Sequence, residues 1–283
     1  MEKYITRNQL PIGVFDSGMG GLTVLRELVN HLPDESFIYL GDTARLPYGT
    51  KSRETVIRYA VQMASLLVTQ GIKLLVVACN TASTTTLPFL KMQFPNIPII
   101  GVIEPGARAA IRTTKNNRVA LLATETTIQS GIYQKTILTL NPKIQITTQT
   151  CGLFVALAEE GCINNEITTL VAKQYLEPII NDHRQCDSII LGCTHFPVFI
   201  ESLTKILGSE INIINAAKAT AMAVKSITQK MNLENTTHTP QLTFLVTDSP
   251  KRFVHIGKFF FGQPIEASIV HWIDGMDRIK MNN

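Results

Sequence analysis

Short runs of β-branched and leucine residues alternate along this chain with longer segments whose apolar residues recur at helical spacing. That alternation restricts the chain to the α/β class, because strands buried on both faces read as continuous apolar runs and parallel strands need crossovers between them. Runs at 12–15, 37–40, 74–78, 99–102, 119–123, 144–147, 188–191, 211–214 and 242–246 read as strands. Helices are predicted over 22–32, 52–69, 84–94, 104–113, 128–140, 167–180, 199–207 and 217–231, with a polar loop at 232–240. In the second of these helices Val56, Ile57, Ala60, Met63, Ala64 and Leu67 fall at helical spacing, and Ser52 reads as the N-cap.

Composition removes several function classes. A hydrophobic fraction of 45% is enough for a packed core, while 17% charged residues and a mean hydropathy of +0.14 raise the question of a membrane. No apolar run approaches the ~20 residues of a spanning helix, so no membrane partner is expected. Residues 1–11 carry no apolar h-region, which predicts no signal peptide and a cytoplasmic protein. Five cysteines, an odd number, read as free thiols in a reducing compartment. Net charge is +4 and the 26 Lys and Arg are scattered, so no direct nucleic-acid contact is expected.

Two internal echoes point to a doubled architecture. IGVFDSGMGG from Ile12 and VALLATETTIQSG from Val119 each carry a strand into a hydroxyl-rich loop. LLVVACNTAS from Leu74 and SIILGCTHFP from Ser188 each carry a buried strand into a small residue, a cysteine and polar residues. Cys79 and Cys193 therefore stand one per half at the carboxyl ends of strands, where open α/β sheets build their sites. Thiols facing each other across a cleft suit stereochemical inversion at an acidified carbon, since a single base tends to return the proton to the face it left. Free Cys ionises near pH ~8.5, so a modest electrostatic nudge balances thiol and thiolate at neutral pH. Asp16 could steer Cys79 or hold a substrate ammonium, and His195 lies two residues beyond Cys193 with a near-neutral pKa of its own. Helix-start N–H groups, with Ser17, Asn80, Thr81 and Thr194, would cradle a carboxylate.

Blander readings stand beside these. A lone cysteine after an apolar strand is usually a buried filler, which is the reading for Cys151, Cys162 and Cys186. No C-x-x-C occurs and Cys193 with His195 has no second ligand pair, so no metal is expected. Thr23 occupies the third glycine of a dinucleotide fingerprint begun by Gly18 and Gly20, and Thr50 precedes Lys51-Ser52 where a phosphate loop needs Gly. Asp16 alone could be a turn former, and His195 alone a hydrogen-bonded core histidine. His31, His183, His238, His255 and His271 belong to no constellation, and Phe259, Phe260 and Phe261 read as core or packing surface.

The segments D-S-G-x-G-G-L-T-V at 16–24, G-D-T-A-R-L-P-Y-G at 41–49, A-C-N-T-A-S at 78–83 and G-C-T-H-F-P at 192–197 closely resemble the glutamate racemase family. So do G-V-I-E-P-G at 101–106 and A-T-x-x-T-I-x-S-G-x-Y at 123–133, giving an ordered match from Ile12 to about Ala223. The resemblance implies that Cys79 and Cys193 are the paired acid and base, Cys79 taking the proton from the D-enantiomer and Cys193 from the L-enantiomer. It implies a glutamate pocket lined by Asp16, Ser17, Tyr48, Gly49, Asn80, Thr81, Thr124, Thr127, Thr194 and His195. Glu159 matches the family's acid beside His195, with Glu160 one position away as the alternative. The chain departs from the family at Thr150-Cys151-Gly152, where Ala-Cys-Pro is common, and at Ala156, Thr126 and Asn215, where Pro, Gly and Asp are usual. These departures bear on the lining of the second domain and leave both thiols in place.

The fold so implied has two similar, pseudo-symmetric α/β domains with central parallel sheets and an active site in the cleft between them. The chain crosses twice, so 1–102 with 216–283 form the first domain and 103–215 the second. The implied activity is interconversion of L- and D-glutamate without pyridoxal phosphate, metal or nucleotide, supplying D-glutamate for peptidoglycan. A homodimer and an interaction with DNA gyrase are the further partner expectations. The rival readings are an aspartate racemase using the same thiols and a protein acting mainly by binding gyrase.

Overall fold

Apolar runs of about five residues have no polar face to turn to solvent, and this chain buries them as parallel strands between helices. The computed structural model describes residues 6–181, 186–235 and 239–274; His183 and His238 lie outside them. In chain order the first stretch is β1 (Ile12–Asp16), α1 (Leu22–His31), β2 (Phe37–Gly41), α2 (Arg53–Thr69), β3 (Leu74–Val77), α3 (Asn80–Gln93) and β4 (Ile99–Gly101). The second is α4 (Ile103–Thr113), β5 (Arg118–Ala123), α5 (Glu125–Gln129), α6 (Ile132–Leu140), β6 (Gln145–Thr150), α7 (Leu153–Glu159), α8 (Glu166–Ile180), β7 (Ser188–Gly192), α9 (Ile200–Leu207) and β8 (Asn212–Asn215). The last is α10 (Ala216–Lys230), β9 (Leu242–Val246), α11 (Pro250–Phe261) and β10 (Val270–Trp272).

Two parallel sheets result, ordered β10-β9-β2-β1-β3-β4 and β6-β5-β7-β8. The sequence β2-β1-β3-β4 in the first sheet has the same topology as β6-β5-β7-β8 in the second, so the doubled motif is a doubled fold. Each sheet reverses its winding beside its central strand, and that switch point opens a crevice at the carboxyl ends. Ile12, Val14, Leu74 and Val76 in one sheet, and Leu121, Leu122, Ile189 and Ile190 in the other, are buried in one continuous apolar core. Burying each such side chain stabilises the fold by about 1.5–3 kcal/mol.

Several boundaries differ from the sequence reading for identifiable reasons. Helix α3 begins at Asn80, earlier than expected, because the Cys79 sulfur accepts the Ala82 N–H at 3.4 Å and caps it. The threonine run that obscured this start satisfies itself, since Thr84 and Thr86 donate their hydroxyls to the carbonyls of Thr81 (2.9 Å) and Ala82 (2.8 Å). The helix expected over 128–140 is two, α5 and α6, broken at Gly131 with φ of 65°. Helix α7 was not anticipated, and neither were α11 and β10, which follow the strand expected to close the set. Phe260 and Phe261 are buried in α11, while Phe259 is exposed. Ser52 caps α2 as expected, accepting the Thr55 N–H. Among the described residues no helix is long and apolar enough to cross a membrane.

Behind the sheets a buried ion pair ties distant segments together. Lys73 is fully enclosed before β3, where it pairs with Glu35 and donates to the carbonyls of Asn8 (2.6 Å) and Leu233 (2.7 Å). The second Glu35 oxygen accepts the Asn235 N–H at 3.0 Å. Removing one partner leaves an uncompensated buried charge, so Lys73→Met is expected to lower stability by about 3–5 kcal/mol. Urea denaturation checks this, with Glu35→Gln/Lys73→Met expected to lose less than Lys73→Met alone. A Lys73→Met protein as stable as the parent would show that the pair ties nothing together.

Candidate active site

The residues singled out from sequence leave the carboxyl ends of four strands. Asp16 ends β1, Cys79 follows β3, Thr124 follows β5 and Cys193 follows β7. Register places them together within each sheet, since Phe15 pairs with Val77 and Ala123 pairs with Gly192. Close approach of the two halves depends on glycine. A Cβ on Gly20 would lie 2.5 Å from Thr194 Oγ1 and from His195 Nδ1, and one on Gly21 would lie 2.4 Å from the Asp16 side chain. Thr23 at the start of α1 donates to the Thr194 carbonyl at 3.0 Å, fixing that contact.

Asp16 is completely buried. Its carboxylate accepts the Gly18 N–H at 3.0 Å and the Thr194 hydroxyl at 3.3 Å. Burial raises its pKa above the usual carboxylate value, and the His195 charge with hydrogen bonds from Gly21, Gly18 and Thr194 pulls it partly back. Cys79 donates its thiol to the Ser17 hydroxyl at 3.4 Å. Burial first, then the neighbouring Asp16 charge, pushes the Cys79 pKa up to about 12, against the opposing effect of its hydrogen bonds with Ser17 and Ala82.

Cys193 has different company. Its sulfur lies 3.8 Å from His195 Nδ1, and His195 Nε2 lies 2.7 Å from Glu159 Oε1. Burial works to lower the His195 pKa, but hydrogen bonding and charge from Cys193 and Glu159 outweigh it and hold the pKa well above the ordinary value. A proton on each ring nitrogen then serves both neighbours. The Phe260 ring meets the imidazole edge to face with centroids 5.3 Å apart. The neighbouring acid Glu160 is exposed and pairs with Arg252 at 3.0 Å, so Glu159 is the one that reaches the histidine.

The remaining residues gather around these. Thr81 Oγ1 is 3.1 Å from both Thr124 Oγ1 and Thr127 Oγ1, a hydroxyl cluster joining the two sheets. Asn80 Oδ1 accepts the Tyr133 hydroxyl at 3.4 Å. Gly49 presses on Thr124, where a Cβ would lie 2.8 Å away, and Tyr48 is buried with its hydroxyl donated to Asp42. Asp42 and Tyr133 were missed as site neighbours although both lie inside the motifs at 41–49 and 123–133; the acid Asp42 with Arg45 three positions on was the available signal. A cavity of about 480 Å³ borders Glu159 and is lined also by Met19, Leu46, Pro47, Val155 and Arg252, while both thiols are buried outside its lining. None of the five cysteines forms a disulfide, and among the described residues no cluster of three or more His, Cys, Asp or Glu is placed to hold a metal.

Known proteins resemble this chain in sequence and in fold. The profile of the Asp/Glu/Hydantoin racemase family matches residues 12–224. A glutamate racemase of Geobacter metallireducens is 46% identical over 252 residues, covering 89% of this chain and 92% of that protein. One from Syntrophus aciditrophicus is 42% identical over 272 residues, covering 96% and 97%. The crystal structure of Francisella tularensis glutamate racemase in complex with D-glutamate superposes with a TM-score of 0.89 at 37% identity, covering 96% of this chain and 100% of that one. Fold and relatives together define an amino-acid racemase, an isomerase. The chain belongs to the Asp/Glu/Hydantoin racemase family, in its glutamate racemase branch.

The raised Cys79 pKa has a measurable consequence. A thiol whose pKa stands at about 12 stays protonated at neutral pH and gains thiolate tenfold per pH unit well beyond the range where a free cysteine has levelled off. The ultraviolet thiolate absorbance of Cys79 in the substrate-free protein, taken as the difference between the parent and Cys79→Ser, is expected to be still rising at about pH 10. A plateau near pH ~8.5 would contradict that protonation state.

Proposed function

We propose that the protein interconverts L-glutamate and D-glutamate by proton transfer at Cα between Cys79 and Cys193. The observation that carries the reading is the placement of these thiols at equivalent strand ends of two sheets with the same order, within one buried polar cluster. One sulfur, as thiolate, removes the Cα proton from one face; the other, as thiol, returns a proton to the opposite face. After turnover the protonation states are exchanged, ready for the reverse reaction.

Each neighbour has a task in this reading. The substrate ammonium pairs with Asp16 and cancels the negative charge that helps keep Cys79 protonated, so binding itself favours the thiolate. On the other side a protonated His195, oriented by Glu159, offers a proton toward Cys193. The first N–H groups of α3, with the hydroxyls of Thr81, Thr124 and Thr127, supply donors to the α-carboxylate, where charge spreads as the carbanion forms. Ser17, Thr194, Tyr48 and Gly49 complete the lining. The domain division at 102/103 and 215/216 belongs to the same reading, as does a cytoplasmic supply of D-glutamate for peptidoglycan. The identities of 46% and 42% to glutamate racemases favour glutamate over aspartate as substrate.

Incubation of each glutamate enantiomer in D₂O tests the mechanism. Deuterium is expected at Cα of the product enantiomer before it appears in recovered substrate. Cys79→Ser and Cys193→Ser are each expected to lower kcat by at least about 10²–10⁴-fold. A higher kcat/KM on aspartate would overturn the substrate, and early label in recovered substrate would overturn the two-base step.

A further inference from the structure

The turn carrying Tyr48 and Gly49 is gripped from both domains. On its own side, the buried Asp42 carboxylate accepts from the Tyr48 hydroxyl, from Arg45 Nε and, at 2.9 Å, from Thr247 Oγ1. From the other domain, Thr126 Oγ1 in the first turn of α5 donates to the Gly49 carbonyl at 2.8 Å, with the Lys51 carbonyl at 3.4 Å. The adjacent hydroxyls of Thr124 and Thr127 bond instead to Thr81. One short helix thus touches the first domain at two places, at the hydroxyl cluster and at the turn.

We propose that Thr126 is a positioning residue, its hydroxyl latching the 48–51 turn to the second domain and holding the cleft closed over substrate. The latch is a property of the protein itself; its effect on substrate affinity rests on the racemase reading above. Both thiols are buried, so substrate entry requires the domains to part and the Thr126–Gly49 hydrogen bond to break. A substrate that binds the closed form pays for any loss of that form's population with weaker apparent binding. Thr126 makes no hydrogen bond to either sulfur, so the proton transfers themselves do not depend on it.

The test uses the full-length protein with Thr126→Val, Thr126→Ala and Thr126→Ser. Losing a hydrogen bond of ordinary strength, valine and alanine are expected to raise KM for both enantiomers about threefold to tenfold, with kcat within about twofold. Without substrate, amide hydrogen exchange over the 47–52 turn is expected to quicken in both, while β5 and the melting temperature stay near the parent values. Serine keeps the hydroxyl and is expected to behave as the parent. Parent-like KM and exchange in the valine and alanine variants would sink the latch, and so would a serine variant as impaired as alanine, since the retained hydroxyl would then restore nothing. If the parent turned over neither enantiomer, the racemase reading would fail by itself, and the exchange data would still decide the latch.

Discussion

The site hangs on a carboxylate taken out of water. Asp16 is fully enclosed, and a buried carboxylate is tolerated only when its lone pairs are answered and its charge is offset. Gly18 and Gly21 answer from the first domain's own turn, while the Thr194 hydroxyl and the His195 charge answer from the second. Asp16 is therefore satisfied only with the two domains together. The glycines at 20 and 21 are the steric condition for this, because a side chain at either would occupy space held by Thr194, His195 or Asp16 itself. Closure of the cleft and electrostatics of the cleft are one constraint.

The strand order repeats, but the two thiols do not share an environment. Cys79 lies beside an anion and a hydroxyl, in surroundings that resist a second negative charge. Cys193 lies beside an imidazole backed by Glu159, in surroundings that can hold or supply a proton. In the proposed inversion one sulfur is charged and one neutral at the start of each turnover, and unlike surroundings suit that reading because they favour different protonation states at the two sulfurs. A duplicated scaffold thus supplies two equivalent positions, and a few side chains unique to each half make them functionally distinct.

Much of this is legible in the sequence. Buried parallel strands announce themselves as unbroken apolar runs, and the cysteine after 74–77 and after 188–192 marked both strand ends. What escaped was polar or non-repetitive. The start of α3 hid in a threonine run that has poor helical propensity but bonds to its own preceding turn. Helix α7 hid because its seven residues are too few to display a period, although Phe154, Val155, Leu157 and Ala158 are buried. Whether Glu159 or Glu160 faces the histidine depends on which side of that short helix looks inward, which spacing alone leaves open.

The C-terminal crossing explains why a doubled fold is not simply two independent halves. Strand β9 pairs with β2 and delivers Thr247, whose hydroxyl binds the Asp42 carboxylate and accepts the Ala44 N–H at 2.9 Å. Helix α11 then sets Phe260 against the His195 ring and sends Arg252 to the Glu159 carbonyl at 2.8 Å. One segment of chain, remote in sequence from both cysteines, thereby steadies the Tyr48 turn of the first domain and the Glu159–His195 pair of the second. Had the chain ended after β8, both supports would be missing, and the charged groups of the site would face water where they now face fixed partners. Under the proposed opening of the cleft, such a segment would let the domains return to the same relative geometry, because it belongs to one sheet while touching the Glu159–His195 pair of the other.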